Sequence, residues 1–132
     1  MILGVGLDIC QISRMAEAIR HPHFLERVFS EDERAYLESK GNQAAQSAAG
    51  LYAAKEAFLK ARGTGIDSLS LSQIEVAHRP DGQPFYRLNG VYGNDRAAAH
   101  LSISHDGGTA AAVCVLEEES GQGKEQTDEG SL

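Results

Sequence analysis

Glu56 and Lys60 stand four residues apart in the alanine-rich stretch Ala53-Ala54-Lys55-Glu56-Ala57-Phe58-Leu59-Lys60-Ala61-Arg62. A helix would place them on one face. Gly63-Thr64-Gly65 follows at once, a turn with no side chain at two of its three positions. A carboxylate, an ammonium and an unobstructed backbone within ten residues are what a metal-assisted phosphate site needs. The same pattern also describes a solvated i,i+4 ion pair worth roughly 0.2–0.5 kcal/mol, followed by an ordinary helix stop. A second carboxylate, Asp8, shares a strand face with Gly4 and Gly6. Glycine in a strand gives up packing and often marks close approach by a ligand or another backbone. Asp8 is thus either a solvated or helix-capping aspartate or one engaged by positive charge. His105 precedes the turn Asp106-Gly107-Gly108 and is either a satisfied, partly buried histidine or a donor and proton shuttle at the mouth of a site. Arg14, Arg20 and Arg27, with Met15 and Phe24 nearby, form either a mixed-charge surface or a docking face for an acidic partner.

The elements that must position these residues follow from periodicity. Leu3, Val5, Leu7 and Ile9 alternate with Gly4, Gly6, Asp8 and Cys10, which predicts a strand with one apolar face. A short helix is expected over 11–19, broken by His21-Pro22-His23, with Phe24, Leu25, Val28 and Phe29 as a second apolar cluster. Ser30-Glu31-Asp32-Glu33 matches a capping box and opens a helix that ends near Lys40-Gly41-Asn42. A long helix over about 43–62 stops at Gly63. Strands are expected over 71–78 and 85–88, a short helix over about 93–98, and a last hairpin around Gly107-Gly108. Helices early and strands late argue for an α+β domain, helices on one side of an antiparallel sheet.

The chain has 132 residues, enough for one domain with a real core. Its net charge of −7 is concentrated at the end. Residues 1–116 carry 13 acids and 11 bases, so general nucleic-acid binding is not expected. Residues 117–132 lack an apolar pattern and are expected to form an acidic, disordered tail beyond a domain of 1–116. No apolar run approaches the length of a membrane span. The sequence opens straight into Ile2-Leu3-Gly4-Val5, and Cys10 and Cys114 make no zinc-type spacing, so buried thiols and a cytoplasmic setting are expected.

Three blocks together are not generic: Gly4-Val5-Gly6-Leu7-Asp8-Ile9; Ala53-Ala54-Lys55-Glu56-Ala57-Phe58 with Lys60 and Gly63-Thr64-Gly65-Ile66; and Leu101-Ser102-Ile103-Ser104-His105. Phe24-Leu25-Glu26-Arg27-Val28-Phe29 followed by Glu33 is a softer fourth. On these the chain resembles the holo-acyl-carrier-protein synthases, the small phosphopantetheinyl transferases, along nearly all of residues 1–116. The resemblance implies transfer of 4′-phosphopantetheine from coenzyme A to a serine of acyl carrier protein, in support of fatty acid biosynthesis. It implies magnesium on Asp8 and Glu56, with Lys60 at the leaving phosphate and Glu56, directly or through a metal-bound water, as base. Coenzyme A would meet Lys60, Gly63, Thr64, Gly65, Pro84 and His105, with His105 also counted in the catalytic set. Arg14, Arg20, Phe24 and Arg27 would meet the carrier protein. The family's active site lies between subunits of a homotrimer, which would let the Gly4–Gly6 strand face a neighbour. Many relatives carry arginine where this chain has Leu51, and Lys40 is a candidate substitute. The first helical region is less basic than in many relatives, and the acidic tail has no counterpart. Two alternatives are a transferase acting on polyketide or peptide synthase carrier domains and a non-catalytic binding module. Retention of Asp8, Glu56, Lys60 and His105 together argues against the latter.

Overall fold

The computed structural model describes residues 1–63, 68–94 and 97–119. Strand β1 (Ile2–Gln11) runs into three short helices, α1 (Ile12–Ala18), α2 (Pro22–Val28) and α3 (Glu31–Glu38). The long helix α4 (Ala44–Arg62) follows, then the hairpin β2 (Ile74–His78) and β3 (Pro84–Leu88), and finally β4 (Ala97–Asp106) and β5 (Thr109–Glu118). β1, β5 and β4 form an antiparallel sheet in that order, and β2–β3 is a separate antiparallel pair. α4 packs on the inner face of the three-stranded sheet, and the α+β architecture is as expected.

Local chemistry explains the ends of the elements. Ser30 Oγ accepts the Glu33 N–H at 3.2 Å while Glu33 Oε1 accepts the Ser30 N–H at 2.9 Å, a complete capping box. Gly63 closes α4 at φ 81°, where its N–H reaches the Leu59 and Lys60 carbonyls. Pro22 sits at the first turn of α2, where its missing N–H costs nothing, so the expected break is also a helix start.

Three expectations change. The strand expected from residue 71 begins at Ile74, after a 3-10 segment, Ser68–Gln73. The helix expected near 93–98 is a 3-10 segment, Gly90–Asn94, and Ala97 and Ala98 instead begin β4, pairing with Glu118 and Glu117. Sheet pairing overrides the helical preference of alanine there. β5 also runs through Glu117 and Glu118, two residues past the expected boundary of the tail. The rest of the tail, from Ser120, lies outside the described residues, as do Thr64 and Gly65.

Gly4 and Gly6 mark the close approach of another backbone, as glycines in a strand suggest, but that backbone is the chain's own α4 and not a neighbouring molecule. A Cβ on Gly6 would run into the Ala57 carbonyl oxygen, and one on Gly4 into that of Ala61. Ala57 and Ala61 are one helical turn apart, so strand and helix meet backbone to backbone. The apolar residues of β1 therefore point outward: Val5, Leu7 and Ile9 are 61%, 62% and 68% exposed.

Among the described residues one ion pair is fully buried. Lys55 Nζ and the Glu33 carboxylate are fully buried, 2.7 Å apart, and Lys55 also donates to the carbonyls of Leu71 (3.0 Å) and Ile74 (2.8 Å). Glu33 Oε2 accepts the Val76 N–H at 2.8 Å. Burial pushes the Lys55 ammonium below the ordinary lysine range, and Glu33 opposes that shift. Removing one member would strand the other charge. Lys55→Met is expected to cost about 3–5 kcal/mol in urea unfolding, and adding Glu33→Gln to it should recover part of the loss.

Candidate active site

Asp8 lies on the inner face of β1, opposite Ala112 of β5, where the two glycines let α4 come close. That approach brings Lys60 across. Its Nζ donates to Asp8 Oδ1 at 3.0 Å and to the Leu7 carbonyl at 3.1 Å. Glu56, one turn earlier on α4, is only 7% exposed. Asp8 and Glu56 line one cavity of about 460 Å³ together with Cys10, Arg14, Phe24 and Tyr52. Burial, and then the Asp8 charge, raise the Glu56 carboxyl above the ordinary glutamate range; the Tyr52 hydroxyl and Lys60 pull the other way. Burial raises the Tyr52 phenol as well, with Glu56 adding to it.

Two carboxylates held side by side, one of them nearly buried, form a hard-oxygen donor set. Among the described residues no group of three or more His, Cys, Asp or Glu side chains could hold a metal. The pair therefore suits a cation that completes its shell from water and substrate phosphate rather than from a protein cage.

The other expected residues fall into a second place. Pro84 and His105 line a cavity of about 200 Å³ with Tyr36, Ser47, Leu51 and His78. Leu51 and Tyr52 are consecutive on α4 yet line different cavities, so the helix stands between them. His105 is exposed at the end of β4 and is not brought to Asp8 and Glu56 within this chain. Gly63 is exposed at the end of α4. Arg14 and Phe24 border the acidic cavity, and Phe24 packs against Tyr52 with ring centroids 6.4 Å apart. Arg20, in the turn after α1, and Arg27, on α2, are exposed, and Arg20 pairs with Glu17 at 3.5 Å. Cys114 is buried as expected, but Cys10 is only half-buried and borders the acidic cavity; both are free thiols.

A sequence profile described as the 4′-phosphopantetheinyl transferase superfamily matches residues 4–114. The chain belongs to that superfamily. The holo-[acyl-carrier-protein] synthase of Treponema denticola is 43% identical over 122 residues, covering 89% of this chain and 99% of the relative. That of Clostridium acetobutylicum is 44% identical over 124 residues, covering 89% and 98%. A crystal structure of the Bacillus anthracis holo-(acyl-carrier-protein) synthase in complex with CoA (3′,5′-ADP) superimposes with a TM-score of 0.79 at 37% identity, covering 90% of this chain and 99% of that one. The Helicobacter pylori synthase in complex with coenzyme A gives 0.73 at 34% identity, covering 86% and 99%.

Beside these family residues the site contains side chains that sequence reading passed over. Tyr52 was within reach of it, because it stands one helical turn before Glu56. Tyr36 and His78 were not, since their meeting joins α3 to β2 across 42 positions.

The raised Glu56 carboxyl has a stability consequence. Below about pH 4.5, its unperturbed value, the group is protonated in folded and unfolded states alike and costs nothing. As pH rises through the higher folded value, that stability is lost. Glu56→Gln is expected to melt above the parent chain at pH 8 in chelator, with the gap closing as pH falls toward 4.5.

Proposed function

We propose that this chain is a holo-[acyl-carrier-protein] synthase that moves the 4′-phosphopantetheine arm of coenzyme A onto a serine of apo acyl carrier protein, releasing adenosine 3′,5′-bisphosphate, in support of fatty acid synthesis. The observation that carries the reading is the Asp8–Glu56 pair with Lys60 beside it, in a chain whose relatives bear that name.

Each residue then has a role set by its chemistry. Asp8 and Glu56 would hold magnesium, which when bound would offset charge on the pyrophosphate. Glu56, nearly buried and with a raised proton affinity, is suited to take the serine proton, directly or through water. Lys60 is 53% exposed on its side chain and tethered to Asp8 by one 3.0 Å contact. It can turn to the departing phosphate, where an ammonium offsets developing negative charge. Arg14 and Phe24 at the cavity rim, with exposed Arg20 and Arg27, suit an acidic carrier protein that delivers its serine to that cavity. Gly63, Thr64 and Gly65 would border the pantetheine arm. Pro84 and His105 belong to the cavity proposed for the nucleotide end of coenzyme A, where Leu51 brings no charge.

A homotrimer would reconcile the two cavities, because one subunit's Pro84 and His105 can complete a neighbour's Asp8–Glu56 site. The outward face of β1 supports an assembly. Val5, Leu7 and Ile9 stand opposite Val115, Val113 and Ala111 of β5, an apolar surface that a lone chain would leave wet. No helix among the described residues is long and apolar enough to cross a membrane, and a cytoplasmic setting suits the two free thiols.

Incubation with coenzyme A, magnesium and apo acyl carrier protein should add one phosphopantetheine to the carrier by mass spectrometry. Chelator should stop the reaction, and Glu56→Gln should slow it by about 10²–10⁴-fold. A well-folded chain that gives no adduct refutes the transferase reading. Leu7→Glu should convert the assembly to monomers in sedimentation and remove turnover with them. An active monomer would refute the shared site.

A further inference from the structure

Tyr52 borders the Asp8–Glu56 cavity, one turn of α4 before Glu56. Side chains on a helix lean toward its N-terminus, so Glu56 leans back over Tyr52. The phenol hydroxyl faces the Glu56 carboxylate and favours its charged form, against the effects of burial and of Asp8. The ring is held from its other side. Phe24 of α2 lies against it with centroids 6.4 Å apart, and Phe24 in turn meets the fully buried Phe29 edge-on at 6.2 Å. A tyrosine side chain turns about only two bonds. With its ring seated in that aromatic row, its O–H has a set origin.

The chemistry asked of Glu56 calls for such a partner. A carboxylate that serves a cation and takes a proton must present an oxygen in a fixed direction. Lys60 is poorly suited to fix it. Its ammonium is tied to Asp8 and to the Leu7 carbonyl, and it is the group that turns to the departing phosphate. Arg14 lines the same cavity, but at the rim where the carrier protein would dock. Tyr52 is neutral, so its hydroxyl can stay on one Glu56 oxygen without repelling a cation at the other. A phenylalanine there could pack on Phe24 but could not donate.

We propose that Tyr52 is a positioning residue whose hydroxyl donates to one Glu56 oxygen and so turns the other toward Asp8 and the incoming serine. This rests on the transferase reading above. The same ring packs on Phe24, so the proposed carrier-docking face and the base of the reaction share one side chain.

Tyr52→Phe removes the donor and keeps the ring. Its kcat is expected to fall about tenfold, the lower end of what losing a ligand's hydrogen-bonding partner costs, with KM for coenzyme A and for the carrier protein within about twofold. A second readout needs neither metal nor turnover. In chelator at about pH 8, Tyr52→Phe is expected to lower the urea midpoint of the parent chain and to leave that of Glu56→Ala unchanged. A packing role alone would lower both midpoints equally, and that result overturns the proposal. An unchanged kcat, or a loss carried by KM, overturns it too. In each of these cases the transferase reading stands. A parent chain that folds but transfers no phosphopantetheine overturns both.

Discussion

The structure depends on the buried ion pair between Lys55 and Glu33. Both side chains are removed from water, a costly step that only dense hydrogen bonding offsets. Lys55 finds two carboxylate oxygens and two backbone carbonyls; Glu33 finds Lys55, the Ser30 N–H and the Val76 N–H. One pair therefore joins the N-terminus of α3, the middle of α4, the segment before β2 and β2 itself. Its value lies in position as much as energy. Lys55 is the residue next to Glu56, so the rotation that seats the ammonium on Glu33 also turns Glu56 about 100° away, into the cavity with Asp8. The hydrogen bonds of Lys55 to Glu33, Leu71 and Ile74 have a set direction, and they define the height and rotation of α4 against its neighbours.

A second constraint works from the opposite side of α4. Gly4 and Gly6 let the helix backbone descend onto β1 at Ala57 and Ala61, and that closeness is what allows Lys60 to reach Asp8. Side chains at either position would lift the helix and part the acidic pair from its ammonium. Using the small-residue face of β1 in this way sends Val5, Leu7 and Ile9 outward. The site's geometry and the apolar outer surface are therefore one choice seen from two sides of the same strand.

This explains what was readable in the sequence and what was not. The capping box at Ser30, the Gly63 stop and the Gly107-Gly108 hairpin were legible because each is settled within a few residues; both hairpin glycines take the positive φ that such a turn needs. Alternation along β1 revealed two faces but not which one was covered. The usual assumption puts the apolar face inward, whereas the fit of glycine against alanine reverses it here. The alanines at 97 and 98 looked helical because propensity is local and strand pairing with Glu118 and Glu117 is not. Asp8 and Glu56 could be named from their blocks, but the burial that alters Glu56 could not. Lys55 reads as one more helix lysine until Glu33, 22 positions earlier, meets it. His78 likewise reads as a surface residue until Tyr36 stacks on it.

The separation of the two cavities by α4 has a further consequence for how such a site can work. Glu56 and Asp8 repel each other, and a chain that fully enclosed them would carry that penalty permanently. The pair already bears part of that penalty, because Glu56 is nearly buried and burial is the first cause of its raised carboxyl. Pro84 and His105 stand on the far side of the helix, away from the carboxylates. If a neighbour supplies the second wall, the low-dielectric surroundings that strengthen a phosphate's contacts arise only in the assembly. A cation or a proton shared by the pair offsets its repulsion, and the strand that holds Asp8 on one face carries the exposed apolar residues Val5, Leu7 and Ile9 on the other.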